Sequence, residues 1–189
     1  MLQLSAHFGN IMRTPELVAG QGGSPQLSDA QVLVTGKYFS GLGLRAIGPV
    51  LQELVLSAQG ELHLMSYLLT ESASPLVDLL EESLQKGVRV TAVLNAYEGN
   101  SRPLLSRLQA LGEKHLHARV FVYSDEESGP LHAKVLVADR KRAVVGSANL
   151  SWGGMVTNNE IGLLVEDSSA WALASLVDRL ASQLAIERT

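Results

Sequence analysis

The stretch that most limits the possible folds is residues 131–138 (LHAKVLVA), which is apolar apart from His132 and Lys134. Its valines and its length favour a β-strand over a helix. Side chains alternate along a strand, so His132 and Lys134 share a face, while both faces carry apolar residues further along. Such a strand normally lies in the centre of a sheet that is covered on both sides. We therefore expect a layered fold, with the two polar residues at the open end of this strand.

The rest of the chain alternates between two apolar patterns. Helical spacing occurs at residues 46–58, 74–85, 101–114 and 169–184. Short strand-like runs occur at residues 31–35, 61–70, 88–94, 118–123 and 159–166. Together these patterns predict an α/β fold, with a mixed central β-sheet and helices on both of its faces. We expect an N-terminal extension or linker over residues 1–30 and one domain over residues 31–189.

Composition excludes several classes of protein. With 189 residues, 46% of them hydrophobic, the chain can bury the core of one domain. The lack of cysteine excludes disulfides, cysteine-ligated zinc and a cysteine nucleophile. No apolar run reaches membrane-spanning length and no signal peptide is evident, so we expect a cytoplasmic protein without a membrane segment. A net charge of −4 argues against a surface that binds nucleic acid over its whole extent, but it allows a local basic groove. An aromatic content of 5% argues against a base-stacking platform.

A polar break followed by apolar residues 143–145 predicts a β-hairpin. With a two-residue turn, Ser147 lies opposite Lys134 and Asn149 lies opposite His132, at about 5 Å. A loop one residue longer reverses the faces of the second strand, so this register is a hypothesis and a bulged turn stays open.

The polar groups of this hairpin suit an anion such as phosphate. A neutral imidazole, here that of His132, can attack phosphorus or move a proton. Lys134 supplies a point charge for a phosphate oxygen, and the Ser147 hydroxyl and Asn149 amide add neutral donors. Gly146 leaves room for backbone or ligand to come close beside Ser147. Because the cluster itself contains no carboxylate, we expect no metal ion there.

These residues also carry the spacing of a known motif. The chain resembles the phospholipase D superfamily over about residues 45–185, and its short single-motif form is most similar to the bacterial endonuclease branch. Agreement at seven positions makes a chance match negligible. The positions that match its HKD motif are His132, Lys134, Asp139, Gly146, Ser147, Asn149 and Glu160.

The resemblance implies phosphodiester chemistry without a metal or other cofactor. It implies that His132 attacks phosphorus to form a phosphohistidine, and that Glu160 orients the imidazole. Lys134, Ser147 and Asn149 then hold the phosphate oxygens, while Asp139 and Gly146 are structural. One histidine cannot easily serve both sides of phosphorus, so the resemblance implies a C2 homodimer in which two motifs form one site.

The leading functional hypothesis is a nuclease that acts on DNA or RNA, in the setting of bacterial restriction or anti-phage defence. One alternative is a phospholipid-directed hydrolase or phosphatidyltransferase. A second is a non-catalytic docking subunit of a larger complex. Nuclease action predicts salt-sensitive nucleic-acid binding, lipid action predicts vesicle binding, and docking predicts a stable complex without turnover.

Features near the motif allow two interpretations each. Asp139, at the far end of the strand, is expected to form an ion pair with a neighbouring arginine or to cap a turn. The basic run 140–142 is either a solvated turn or a phosphate contact. The acidic loop 124–130 is either solvated or a gate to the site. Packing is favoured over substrate contact for Trp152, and a place in the rim is favoured for Tyr67.

Overall fold

The computed structural model describes residues 30–124 and 129–186. Within these ranges the chain forms one eight-stranded sheet in the order β2-β1-β8-β7-β6-β3-β4-β5. The strands are β1 (Gln31–Thr35), β2 (Arg45–Ala46), β3 (Glu61–Ser66), β4 (Arg89–Asn95), β5 (Ala118–Tyr123), β6 (Lys134–Ala138), β7 (Arg142–Gly146) and β8 (Glu160–Glu166). Neighbours pair in parallel for β1/β2, β3/β4 and β4/β5 and antiparallel elsewhere. The predicted mixed α/β sheet is confirmed.

Helices cover both faces of the sheet, as predicted. They are α1 (Ile47–Ser57), α2 (Ser74–Gln85), α3 (Arg102–Lys114) and α4 (Asp167–Ile186). Helices α1, α2 and α3 pack on one face of the sheet and enclose a leucine-rich core with it. Helix α4 packs on the other face. Ala170, Ala174, Val177 and Ala181 line the buried side of α4, and these small side chains allow the helix to lie close to the sheet. Residues 1–29, most of the predicted extension, and 125–128 of the acidic loop lie outside the described residues.

Strand β6 is the central strand that the apolar pattern predicted. All five of its residues are buried, and it pairs with β3 on one side and β7 on the other. It is shorter than the predicted strand, because residues 131–133 precede it. The backbone N–H of Leu131 donates to Oδ1 of Asn95 at 2.8 Å instead of to a neighbouring strand. His132 therefore lies in the segment that enters the strand, and Lys134 is the first residue of the strand.

The hairpin register predicted from a two-residue turn is wrong. Strands β6 and β7 pair so that Ala138 lies opposite Arg142, which leaves a three-residue loop. Asp139 and Arg140 both have positive φ, at 53° and 54°, a conformation that is uncommon outside glycine. The N–H of Lys141 donates to the Ala138 carbonyl at 3.0 Å and closes the turn. The longer loop was the alternative that the pattern had left open.

The side chain of Asp139 explains why this unusual loop is adopted. Its carboxylate accepts backbone N–H groups from Gln59 at 2.9 Å, Gly60 at 2.7 Å and Glu61 at 2.9 Å. Burial raises the pKa of Asp139, but the three N–H donors together hold it below its ordinary value. The ion pair with a neighbouring arginine is not formed in the described part of the chain. Asp139 instead caps the segment that leads into β3.

We expect Asp139→Asn to lower the free energy of unfolding by about 1–3 kcal/mol at pH 7, because a charge-assisted acceptor of backbone N–H groups is lost. The folded-state pKa of Asp139 is depressed, so its stabilisation is present above the unfolded carboxyl's pKa and is lost as the pH falls through the folded value. Urea unfolding at pH 7 and near pH 3 should therefore show a gap between the two proteins that shrinks in acid. A gap of the same size at both pH values would contradict this role.

Candidate active site

His132 and Lys134 form one unit at the entrance to β6. The His132 side chain is exposed, whereas Lys134 is buried, with 9% of its surface accessible. The Lys134 Nζ lies 2.9 Å from Nδ1 and 3.0 Å from Nε2 of the imidazole, and it donates to the His132 carbonyl at 3.0 Å. A neutral imidazole has one acceptor nitrogen, and Lys134 is within reach of it in either tautomer. A cation and a nucleophile are therefore held side by side.

Burial and one nearby carboxylate have opposite effects on the pKa of Lys134. Burial lowers the pKa of the Lys134 ammonium from its ordinary value, and the nearby charge of Glu160 opposes that shift. A partly desolvated ammonium interacts more strongly with an incoming anion than a surface lysine does. The motif therefore offers a phosphate a concentrated positive charge beside the imidazole.

Ser147 and Glu160 form a second unit. The Ser147 hydroxyl donates to the Glu160 carboxylate and accepts the Ile161 N–H at 3.3 Å. The Asn158 amide donates to the same carboxylate at 3.2 Å. Within the described chain no hydrogen bond joins Glu160 to His132, so its implied role in orienting the imidazole stays a prediction. Glu160 is instead held at the start of β8 by two neutral donors.

Gly146 and Asn149 shape the backbone between these two units. Gly146 lies opposite Gly162, and a Cβ at position 146 would meet the Gly162 Cα and the Ile161 carbonyl oxygen, both at 2.7 Å. This is the close backbone approach that a glycine was expected to allow. Asn149 is half-buried, and its Oδ1 has no hydrogen-bond partner among the described residues. Asn149 thus retains an unused polar group near the motif.

Two tyrosines belong to the site: sequence reasoning favoured a place in the rim for Tyr67 and assigned no role to Tyr97. The Tyr67 ring lies 4.5 Å from the His132 imidazole and 5.0 Å from the Lys134 Nζ, measured from the ring centroid. Tyr97 stacks on Tyr67 with centroids 5.0 Å apart and planes at 25°. Tyr67 follows β3 and Tyr97 follows β4, two neighbouring parallel strands. The carboxyl ends of such strands meet at one edge of a sheet, which is the signal that could have found this pair.

Two buried asparagines hold the loops around His132. Asn95, the last residue of β4, accepts the Leu131 N–H through Oδ1, and its carbonyl accepts the Asn100 amide at 2.7 Å. Asn100 in turn accepts the Leu69 N–H at 2.8 Å. Both asparagines are more than nine-tenths buried. They join the ends of β3, β4 and the segment before β6 into one rigid rim.

The remaining predicted features are Trp152 and the basic run 140–142. The packing favoured for Trp152 is not found, since 60% of the residue is exposed at the start of a π-helix, Gly153–Thr157. Arg140 pairs with Glu61 at 2.6 Å, and Arg142 pairs with Glu53 at 3.0 Å. These arginines follow the opposite end of β6 from His132, so they are neither a solvated turn nor a phosphate contact at the motif.

Neither a metal cluster nor a membrane span is found in the residues that the structure covers. Residues 30–124 and 129–186 contain no group of three or more His, Asp or Glu side chains that could hold a metal ion. Over the same ranges no helix has the length and apolarity needed to cross a bilayer.

Comparison with known proteins places this geometry in a family. The family model described as "Cardiolipin synthase, PLD-like domain" matches residues 51–184. The DISARM protein DrmC of Bacillus paralicheniformis is 31% identical over 125 residues, which cover 65% of this chain and 50% of DrmC. The 5'-3' exonuclease PLD4 of Homo sapiens is 27% identical over 138 residues, covering 65% of this chain and 26% of PLD4. The chain thus spans half or less of the length of these relatives.

The fold is also that of a solved member of the phospholipase D family. Nuc from Salmonella typhimurium superposes with a TM-score of 0.62 at 18% identity, over 82% of this chain and 93% of Nuc. The family model covers well over half of the chain and includes every residue of the two units described above. On this evidence the chain belongs to the phospholipase D-like family.

Proposed function

We propose that this chain is a metal-independent phosphodiesterase that cleaves nucleic acids through a phosphohistidine intermediate. The observation that carries the proposal is the exposed imidazole of His132 with the Lys134 ammonium at 2.9 Å. An imidazole nitrogen is a nucleophile for phosphorus, and an adjacent ammonium stabilises the negative charge on the nonbridging oxygens. The full HKD spacing within the matched family segment supports the same roles.

In the proposed reaction the substrate phosphate draws the Lys134 ammonium away from the imidazole. His132 then attacks phosphorus in line. The alkoxide on the other side of the cleaved bond leaves and takes up a proton. Water attacks the phosphohistidine from the side that the alkoxide left, which releases a phosphomonoester and restores the imidazole. Ser147 and Asn149 hold the phosphate oxygens, and Glu160 accepts from the far nitrogen of the attacking imidazole.

The proposed unit of activity is a homodimer. The proton for the leaving alkoxide must come from the face of phosphorus opposite His132, and one chain supplies one motif. We place the His132 of a second copy there as general acid and then general base, across a C2 axis. The exposure of His132 supports this arrangement, because a second motif can approach the imidazole freely.

Nucleic acid is the proposed substrate, and bacterial restriction or anti-phage defence in the cytoplasm is the proposed setting. DrmC, a DISARM protein, supports the setting, and PLD4, an exonuclease, supports the substrate. The description of the family model as a cardiolipin synthase domain favours phospholipid as the second candidate. Transfer of a phosphatidyl group would use the same attack by His132, with an alcohol in place of water.

The test is a cleavage assay in EDTA on single- and double-stranded DNA and RNA, alongside vesicles that contain phosphatidylglycerol and cardiolipin. We expect EDTA-resistant cutting of a nucleic acid that is absent with His132→Ala. Release or exchange of lipid headgroups without nucleic-acid cleavage would establish the phospholipid candidate. Turnover of neither substrate by a folded dimer would refute both and leave the docking role. Cleavage that survives His132→Ala would show that His132 is not the nucleophile.

A further inference from the structure

We infer that the active site selects single-stranded nucleic acid, and that it does so by stacking an unpaired base on Tyr97. The inference rests on the proposed nuclease function and names the form of its substrate. It runs against the expectation from composition, which argued that few aromatic residues mean no stacking platform. What matters is where the few aromatic side chains lie: of the four tyrosines, Tyr67 lies beside His132 and Tyr97 lies beside Tyr67.

The rings form a continuous row that begins at the nucleophile. His132 contacts Tyr67 at 4.5 Å between ring centroids, and Tyr67 stacks on Tyr97 at 5.0 Å. Tyr97 is therefore one aromatic ring away from the imidazole. It stands at the outer end of the row, with 45% of its surface exposed. A nucleotide whose phosphate reaches His132 thus has its base within reach of Tyr97, in the offset geometry that aromatic rings prefer.

The turn that carries Tyr97 is held in place before any substrate binds. The Asn100 N–H donates to the Tyr97 carbonyl at 3.0 Å, and the buried Asn100 side chain is fixed by hydrogen bonds to Asn95 and Leu69. Gly99 lies so close to the ring that a Cβ there would be 2.6 Å from Cε1 of Tyr97. A ring with few alternative positions loses little entropy when a base stacks on it.

The motif hairpin gives little support to the other mode of binding, in which many cations neutralise a duplex backbone, because its arginines lie at the end of β6 opposite His132. Arg140 and Arg142 are engaged in ion pairs with Glu61, Asp178 and Glu53. Lys134 is the cation that contacts His132 in the described chain. In a duplex the faces of the bases are covered by their neighbours, so a stacking site binds only unpaired bases. The site is therefore built for a strand whose bases are free.

The test measures binding to the full chain in the His132→Asn background, which prevents cleavage. The probes are fluorescein-labelled oligodeoxythymidine, oligouridine and a DNA duplex of the same length. Their binding is measured by fluorescence anisotropy in EDTA. Tyr97→Ala should weaken binding of the single strands about 5- to 150-fold, the range that base–aromatic stacking implies. Tyr97→Phe should bind as the parent does. Trp171→Ala, which removes an exposed aromatic ring on α4, is the matched control and should change nothing.

A second variant tests the same ring without deleting it. Gly99→Ala is expected to displace Tyr97 and to weaken single-strand binding, while circular dichroism shows an intact fold. Equal affinity of Tyr97→Ala and its parent for single strands, or tighter binding of the duplex, would overturn the inference. If the wild type also cleaves nucleic acid in EDTA, the nuclease proposal survives that failure. If it cleaves none, both proposals fall together.

Discussion

A chain that carries His132→Asn is expected to silence the wild-type copies with which it pairs. Alone it should lose at least about 10⁴-fold in hydrolysis, because neither the nucleophile nor the general acid is present. In a mixed dimer one histidine remains, but the reaction needs one on each side of phosphorus. Random pairing of equal amounts leaves about one quarter of the dimers with two histidines. The hydrolysis rate per dimer in the mixture should therefore fall toward one quarter of the rate of the wild-type dimer.

The measurement uses two affinity tags, so that mixed dimers can be purified after the chains are expressed together. We expect EDTA-resistant hydrolysis by the mixed dimer to be near that of the doubly substituted one. His117→Asn is the matched control, since His117 bonds to the Leu84 carbonyl beside β5 and is remote from the motif. Mixed dimers with that variant should stay fully active. Half of the wild-type activity in the His132→Asn mixed dimer would show that each chain works by itself.

Gly154→Ala is expected to damage both stability and activity, whereas Gly153→Ala is expected to leave stability nearly unchanged. A Cβ on Gly154 would lie 2.6 Å from the backbone N of Asn149 and closer still to its carbonyl oxygen. Backbone cannot yield as a side chain can, so the π-helix and the segment that bears Asn149 must separate. Overpacking of this kind costs about 1–3 kcal/mol, and we expect the upper part of that range.

The neighbouring glycine supplies the contrast. The atoms nearest to a Cβ on Gly153 would be those of the Asn158 side-chain amide, at 3.0 and 3.1 Å. A side chain can rotate away, although this one would then give up its hydrogen bond to Glu160. Alanine also favours a helical backbone over glycine by about 0.5–1 kcal/mol, which offsets the small clash. The urea midpoints of the two variants should therefore differ, with Gly154→Ala the less stable. Equal behaviour would mean that the close approach of Gly154 to Asn149 does not matter.

Local pattern was enough to predict the layers of this fold but not the register of its motif hairpin. The apolar runs predicted the central strand, the helices on both faces and the ends of α2 and β5 to the residue. The predicted two-residue turn was wrong because Asp139 and Arg140 adopt positive φ, which their residue types disfavour. The compensation comes from far along the chain: backbone N–H groups near Gly60 for Asp139, and Glu61 and Asp178 for Arg140. No window around the turn contains those partners.

The candidate site shows the same division. The motif spacing identified His132 and Lys134, which the structure brings into contact. Tyr97 was missed because nothing in its own neighbourhood marks it, and its place beside the motif depends on β4 lying next to β3. The aromatic content of the whole chain likewise carries no information on where the aromatic rings lie. The residues of the candidate site are brought together by the order of the strands in the sheet, which composition does not predict.

The pairing of β1 with β8 determines where this sheet can be shortened without exposing an edge. The matched segment begins at residue 51, inside α1, and so omits β1 and β2. Yet β1 pairs with β8 over five residues, from Gln31 opposite Leu164 to Thr35 opposite Glu160. In a chain shortened to the residues that the family model matches, β8 would be an edge strand with unpaired backbone groups, open to pairing with other chains. The matched segment is therefore shorter than the sheet, and β1 covers the edge of β8, the strand that begins at Glu160.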